Sequence, residues 1–177
     1  MTGMNNRETF LKTEPEMDIT QFAKTELDLV YADESPNQIL DVFYPEDGEG
    51  PYPLVIVFHG GAFAAGHKRT HYIKSMCLPV TQGYAVATVE YRLLQEAKWP
   101  AQLIDGKAAI RYLKAHADRF RINKEKMGVM GESAGGYLAC MAALDNDPSL
   151  DVGEYLEESS KVQAACPWYP PTDLSAF

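Results

Sequence analysis

Uninterrupted apolar runs alternate with amphipathic stretches along most of the chain. Residues 54–58 (LVIVF) and 84–92 (YAVATVEYR) are rich in β-branched and aromatic side chains, which is typical of strands buried on both faces of a parallel sheet. Before them, residues 25–31 (TELDLVY) and 37–45 (NQILDVFYP) flank a short cluster of turn-forming residues. The pattern predicts an antiparallel hairpin followed by parallel strands.

Helical segments are predicted between these strands. Residues 100–117 repeat apolar side chains at helical spacing, which predicts a helix with an apolar face on the sheet and a separate polar face. The apolar positions are Ile104, Ala108, Ala109, Tyr112 and Leu113, and the polar ones are Lys107, Arg111 and Lys114. Residues 70–82 are predicted to form a helix that Pro79 kinks or ends. A small-residue helix is predicted over 134–144, and an acidic surface loop over 145–161.

Two further strands complete the predicted sheet, at residues 126–131 (KMGVMG) and 162–169 (VQAACPWY). Strands alternating with helices after a hairpin indicate an α/β fold with a mostly parallel sheet flanked by helices. We expect one domain over residues 25–177, ending after its sixth strand, with residues 1–24 as a loose arm or short helix. The apolar last edge would be covered by a second copy of the chain or by a missing C-terminal segment.

Composition narrows the class of protein. The 177 residues are 46% hydrophobic and 23% charged, which is typical of a globular chain. The net charge of −9 argues against a nucleic-acid partner, and no apolar run approaches the roughly 20 residues that span a bilayer. Residues 1–18 lack the pattern of a secretory signal. Cys77, Cys140 and Cys166 lie in apolar stretches, which predicts buried free thiols and a cytoplasmic location.

A candidate nucleophile lies between the fifth predicted strand and the following helix. Ser133 is the centre of a G-x-S-x-G sequence that begins at Gly131 and ends at Gly135. In a tight strand-to-helix turn, small residues on both sides avoid clashes and the serine hydroxyl is forced outward. The same spacing also occurs by chance in small-residue turns. We therefore expect Ser133 at a strand-to-helix turn, facing the cavity that also contains Gly60 and Gly61.

A second glycine-rich sequence supports the catalytic interpretation. His59, Gly60, Gly61 and Ala62 follow the strand over 54–58 directly. Glycines at that position let an ester carbonyl approach backbone N–H groups closely, as an oxyanion hole requires. Both sequences lie at carboxyl ends of predicted parallel strands, where α/β sheets bind ligands.

With these motifs the chain resembles the α/β-hydrolases of the hormone-sensitive-lipase-like and related carboxylesterase type. The matching sequences are HGGAF (59–63), EYRL (90–93), WPAQLIDGKAAIRYL (99–113), GESAGG (131–136) and PTDL (171–174). The resemblance implies that Ser133 is the acyl-accepting nucleophile and that Gly60, Gly61 and Ala134 donate the oxyanion-hole N–H groups. Ala62 replaces a glycine common in that family, and Glu90 replaces a more common aspartate; the sequence does not explain the second change.

The resemblance also implies a triad acid and a histidine that follow the serine, and here the chain departs from the family. No histidine follows Ser133 in the sequence; His59, His67, His71 and His116 all precede it. The resemblance gives His59 a role in shaping the oxyanion loop, and we expect the other three to be structural or surface residues. Asp173 comes one strand too early for the acid, so a turn or capping role is expected.

Two functions therefore remain open. The first is a serine esterase of small carboxylic esters, represented by the N-terminal portion of its domain. The second is a noncatalytic relative that at most binds acyl compounds. A phosphate-binding loop is not favoured, because His67 stands where that motif needs lysine. No dinucleotide motif or metal-ligand pattern is present, so we expect no cofactor and no metal.

Overall fold

A computed structural model of the chain describes residues 15–173. It contains one six-stranded sheet with the strand order β1-β2-β4-β3-β5-β6. The strands are β1 (Lys24–Val30), β2 (Ile39–Tyr44), β3 (Tyr52–Phe58), β4 (Ala85–Val89), β5 (Ile122–Glu132) and β6 (Ala164–Trp168). β1 pairs antiparallel with β2, β2 pairs antiparallel with β4, and the remaining pairs are parallel. The predicted hairpin followed by a mostly parallel sheet is confirmed.

Helices cover both faces of the sheet. They are α1 (Ala101–Ala115), α2 (Ala117–Phe120) and α3 (Ala134–Leu144), with 3₁₀ helices at Ile19–Gln21, His71–Gln82 and Pro148–Leu150. Leu54, Ile56 and Phe58 of β3 pack in the core that includes α1 and α3, whereas Val57 faces the core under the long 3₁₀ helix. This alternation is what a strand buried on both faces requires. No helix within residues 15–173 is long and apolar enough to cross a membrane.

The helix over residues 71–82 differs from its prediction. It is 3₁₀ throughout and continues past Pro79 to Gln82, so the prediction that Pro79 ends it is wrong, and a kink at Pro79 stays a prediction. Pro79 has no N–H to donate in either an α-helix or a 3₁₀ helix, so one backbone bond is missing there, yet the 3₁₀ helix continues to Gln82. Gly83, with φ of 84°, ends the helix, and its N–H donates to the Val80 carbonyl.

The three cations of α1 share a separate face, as predicted, but the structure buries that face instead of leaving it in solvent. The side chains of Lys107, Arg111 and Lys114 lie beneath residues 145–161, the segment predicted to be a solvated acidic loop. Lys107 bonds to Asp145 at 2.8 Å, Arg111 to Asp151 at 3.1 Å, and Lys114 to the carbonyls of Ser159 and Lys161 at 2.7 and 2.6 Å. Burial lowers the pKa of the Lys114 ammonium. The segment is thus fixed to α1 by its carboxylates and carbonyls.

The cysteines divide into three environments. Cys77 is buried, and desolvation raises its pKa to about 12, so this thiol stays protonated. Cys140 is half-buried, and Cys166 is exposed on β6. The prediction that all three are buried is wrong for these two. Cys166 is exposed on β6, which pairs only with β5 within residues 15–173. What covers the outer edge of β6 stays a prediction.

The first described residues are packed against the domain. Met17 is buried, its N–H donates to the Arg69 carbonyl at 2.7 Å, and Phe22 contacts Phe43 at a ring-centroid distance of 4.5 Å. Of the two predicted alternatives, the short helix is present as the 3₁₀ helix Ile19–Gln21, and residues 15–23 are not a loose arm, because Met17 and Phe22 find apolar partners. Residues 1–14 and 174–177 lie outside the described residues. The domain boundaries stay a prediction.

Replacing Arg111 with alanine tests whether α1 needs the segment over it. Arg111→Ala should lower the free energy of unfolding by about 2–3 kcal/mol, because the carbonyls of Val152 and Glu154 lose a buried charged donor. Urea unfolding measures this change. The control is Lys124→Ala, which removes an exposed pair with Glu158 and should leave the midpoint unchanged. Equal stability of the two variants would contradict a supporting role for Arg111.

Candidate active site

Ser133 occupies a strained turn between β5 and α3. β5 ends at Glu132, α3 begins at Ala134, and Ser133 between them has φ of 52° and ψ of −118°. A positive φ is unfavourable for a residue with a side chain, and such strain is typical of functional turns. The prediction that Ser133 lies at a strand-to-helix turn is confirmed, and the residue is half-buried.

Close backbone contacts explain the glycines on either side of Ser133. A Cβ on Gly131 would lie 2.3 Å from the carbonyl oxygen of Gly135. A Cβ on Gly135 would lie 2.1 Å from the carbonyl oxygen of Phe58, the last residue of β3. Neither position has room for a methyl group, so the spacing of the motif follows from backbone packing at this end of the sheet.

The N-terminus of α3 supplies polarity to the turn. The Ser133 N–H donates to the Trp168 carbonyl at 3.0 Å, and the Ser133 carbonyl accepts from the Tyr137 N–H at 2.9 Å. Ala134 is the first residue of this eleven-residue helix, so its N–H has no partner within the helix. N–H groups at a helix N-terminus favour a developing negative charge nearby.

The loop after β3 turns sharply beside Ser133. Three consecutive positions have positive φ, Gly61 at 114°, Ala62 at 53° and Phe63 at 57°, and so does Gly66 at 91° after two further residues. The Gly61 carbonyl accepts from the N–H groups of Ala64 and Ala65, each at 2.9 Å. Gly61 and Ala62 are exposed, and no hydrogen bond from either N–H is present within residues 15–173.

Glu132 connects the loop to the serine turn. Its Oε1 accepts from the Gly60 N–H at 2.9 Å, and a Cβ on Gly60 would lie 2.1 Å from the same oxygen. The predicted role of Gly60 as an oxyanion donor conflicts with this geometry, because its N–H already has a carboxylate partner. The sequence analysis did not select Glu132, although its place immediately before the candidate nucleophile was a signal that it borders the site.

His59 lies beneath this loop and is fully buried. Its Nδ1 is 2.7 Å from the Gly60 carbonyl oxygen, its Nε2 is 3.3 Å from Oε1 of Glu90, and its ring stacks on Tyr91 at 4.3 Å. Both ring nitrogens are therefore engaged, which supports a role in shaping the loop.

The other histidines lie in separate surroundings. His71 begins the long 3₁₀ helix and is exposed, whereas His116 caps α1 with Nδ1 at 2.9 Å from the Tyr112 carbonyl oxygen. His67 is half-buried and accepts from the Arg69 N–H.

Three aromatic rings form a cluster beside the turn, which the sequence analysis did not predict. Phe63 contacts Trp99 and Tyr137 at centroid distances of 5.8 and 6.3 Å, and Trp99 contacts Tyr137 at 5.5 Å. Tyr137 lies one helical turn after Ser133, and Phe63 lies two residues after Gly61. Trp99 keeps 37% of its surface exposed, so the cluster offers an apolar face to a ligand.

Comparisons with known proteins identify esterase relatives of this chain. The sequence profile of the BD-FAE family matches residues 40–177. The probable carboxylic ester hydrolase LipM of Mycobacterium tuberculosis is 31% identical over 151 residues, which are 84% of this chain and 35% of LipM. Esterase LipC of the same organism is 33% identical over 122 residues, which are 68% of this chain and 30% of LipC. The chain thus spans about a third of the length of these relatives.

Solved esterase structures share the fold. A truncated form of a carbohydrate esterase from gut microbiota matches with a TM-score of 0.78 and 27% identity, over 91% of this chain and 61% of that chain. The hyperthermophilic esterase of the archaeon Pyrobaculum calidifontis matches with a TM-score of 0.70 and 29% identity, over 93% and 52% of the two chains. This chain therefore belongs to the BD-FAE family and has the fold of the N-terminal portion of an α/β-hydrolase esterase.

Proposed function

We propose that this chain carries the nucleophile and the oxyanion hole of a serine hydrolase that acts on small carboxylic esters. The observation that carries the proposal is the Glu132–Gly60 hydrogen bond, which holds the turn of Ser133 against the glycine-rich loop. The esterase relatives support the reaction class. The proposal concerns a soluble small-molecule ester as substrate, with no cofactor.

In the proposed reaction, Ser133 Oγ attacks the ester carbonyl carbon while its proton passes to a general base. The carbonyl oxygen becomes an oxyanion and accepts hydrogen bonds from the N–H groups of Ala134 and Gly61. Because the Gly60 N–H is occupied, we assign the third donor to Ala62, whose N–H has no partner within residues 15–173. The intermediate then collapses, the alcohol leaves, and water hydrolyses the acyl-enzyme.

The general base of this reaction has no residue assigned to it within residues 15–173. His59 is buried with both nitrogens engaged, and His116 caps α1. This observation favours the second candidate function, a noncatalytic relative that binds acyl compounds. Both candidates share the serine turn and differ in whether Ser133 reacts.

Covalent labelling distinguishes the two candidates. A fluorophosphonate should modify Ser133 slowly, because oxyanion stabilisation persists in serine hydrolases that lack the base. Intact-mass analysis of the wild type and Ser133→Ala measures the adduct. Ser75→Ala, which removes an exposed serine on the 3₁₀ helix, is the matched control and should label like the wild type. Equal labelling of wild type and Ser133→Ala would contradict a preformed site.

Turnover of this chain alone should be very low. In subtilisin, loss of the triad histidine lowers turnover by a factor on the order of 10⁶, and a rate about 10³ to 10⁴ times that in water is retained. We therefore expect hydrolysis of p-nitrophenyl acetate only slightly above the Ser133→Ala background, measured by nitrophenolate release. Turnover of about 10 per second, typical of a competent enzyme, would mean that one of the chain's histidines serves as the base.

A further inference from the structure

The loop over residues 59–68 is held at both ends by one carboxylate. Glu90 follows β4 directly, and its side chain is 12% exposed. Its Oε1 is 3.3 Å from Nε2 of His59, and its Oε2 accepts from the Lys68 N–H at 3.0 Å. His59 and Lys68 are the first and last residues of the loop, so Glu90 spans its base.

The positions of the protons in this cluster follow from which of its atoms can only accept hydrogen bonds. Nδ1 of His59 faces the Gly60 carbonyl oxygen at 2.7 Å, and because a carbonyl can only accept, Nδ1 carries a proton. The contact between Nε2 and the Glu90 carboxylate then needs one further proton, shared between the ring and the acid. A side-chain amide at position 90 would need no such proton, since it could donate to Nε2 and accept from the Lys68 N–H.

Further hydrogen bonds hold the elements around Glu90, and these bonds differ from the two contacts that its carboxylate makes with the loop. The Tyr91 hydroxyl donates to the His59 carbonyl at 2.6 Å, and the Tyr31 hydroxyl donates to the Glu90 carbonyl at 2.7 Å. Beyond the loop, Lys68 Nζ lies 2.6 Å from Asp28 and 2.7 Å from Asp41. These bonds hold the ends of the neighbouring strands, whereas the Glu90 carboxylate bonds to both ends of the loop.

The loop needs such an anchor because its path is strained. Ala62 and Phe63 both have positive φ, which non-glycine residues adopt only where surrounding contacts enforce it. These two residues follow Gly61, whose N–H group is a proposed oxyanion donor. A change in the width of the loop at its base would rotate these N–H groups away from the reacting oxygen.

We propose that Glu90 is a positioning residue for the oxyanion hole: its carboxylate sets the separation of His59 and Lys68 and thereby the direction of the Gly61 and Ala62 N–H groups. The inference rests on the proposed function for its kinetic consequence. The structural part of the inference, which is the position of the loop over residues 59–68, does not depend on the proposed function. The length of the side chain matters more than its charge, because the two contacts lie on opposite oxygens of one group.

Four variants of the full chain test the proposal. Glu90→Ala removes both contacts, Glu90→Asp shortens the side chain by one methylene, and Glu90→Gln keeps the length while removing the charge. Arg111→Ala is the control for lost stability, because Arg111 lies on α1 under the segment over residues 145–161 and touches no part of the loop.

The first measurement is amide hydrogen exchange by NMR at Ala64 and Ala65. Their N–H groups donate to the Gly61 carbonyl and do not touch Glu90, so their exchange reports the loop itself. Exchange should be at least about 10-fold faster in Glu90→Ala, intermediate in Glu90→Asp, and within about 3-fold of wild type in Glu90→Gln and Arg111→Ala.

The second measurement is the kinetics of fluorophosphonate labelling. The bond-forming rate constant should fall about 10- to 100-fold in Glu90→Ala, because misaligned oxyanion donors cost factors of this size. The dissociation constant of the probe should stay within about 3-fold of wild type, and Glu90→Gln should restore the rate. If Glu90 had only a structural role, Glu90→Ala would lower the folded fraction, and it would not slow bond formation while leaving the dissociation constant of the probe unchanged.

The outcomes separate the two proposals. Unchanged exchange and unchanged bond formation in Glu90→Ala would overturn the positioning role, and so would a Glu90→Gln variant that behaves like Glu90→Ala. If the wild type is not labelled at all, the proposed function fails, and the exchange at Ala64 and Ala65 still decides whether Glu90 positions the loop.

Discussion

The contact between α3 and the carboxyl end of β3 sets the geometry of the whole site. A single methyl group on Gly135 would lie 2.1 Å from the Phe58 carbonyl oxygen, so helix and strand meet at backbone distance. Ser133 can then leave β5 and enter α3 only through a positive φ. The same closeness brings Glu132 within reach of Gly60, since Gly60 is two residues after Phe58. The serine turn and the loop beside it are consequences of one packing contact.

Carboxylates at strand ends then hold the loops that this contact brings together. Glu132 ends β5 and binds the Gly60 N–H, whereas Glu90 follows β4 and binds the two ends of the loop over residues 59–68. On β2, Asp41 is fully buried and accepts from Lys68 and Arg69. A buried carboxylate is stable only with such partners, and here the partners are the loop residues themselves. The polar groups under the site are therefore its supports.

Features that depend on residues close together in the sequence could be predicted, and those that depend on residues far apart in the sequence could not. The turn at Ser133 and the strand over 54–58 follow from local sterics and hydrophobicity, and both are present. The occupied N–H of Gly60 depends on a residue 72 positions away. The burial of Lys114 depends on carbonyls 45 and 47 positions along the chain, so periodicity within α1 could only indicate a polar face. Glu90 was noticed only as a replacement, because its two partners become visible once the loop is folded.

The contacts that His59 makes under the loop limit the chemistry that its ring can perform. A general base must accept a proton from Ser133 with a free ring nitrogen, yet one nitrogen of His59 faces a carbonyl and the other a carboxylate. Rotating the ring to free a nitrogen would break the contact with Glu90, and a Cβ on Gly66 would already lie 2.6 Å from Nδ1, which shows how tightly the loop closes over the ring. His59, which holds the base of the loop over residues 59–68, is thereby excluded from proton transfer.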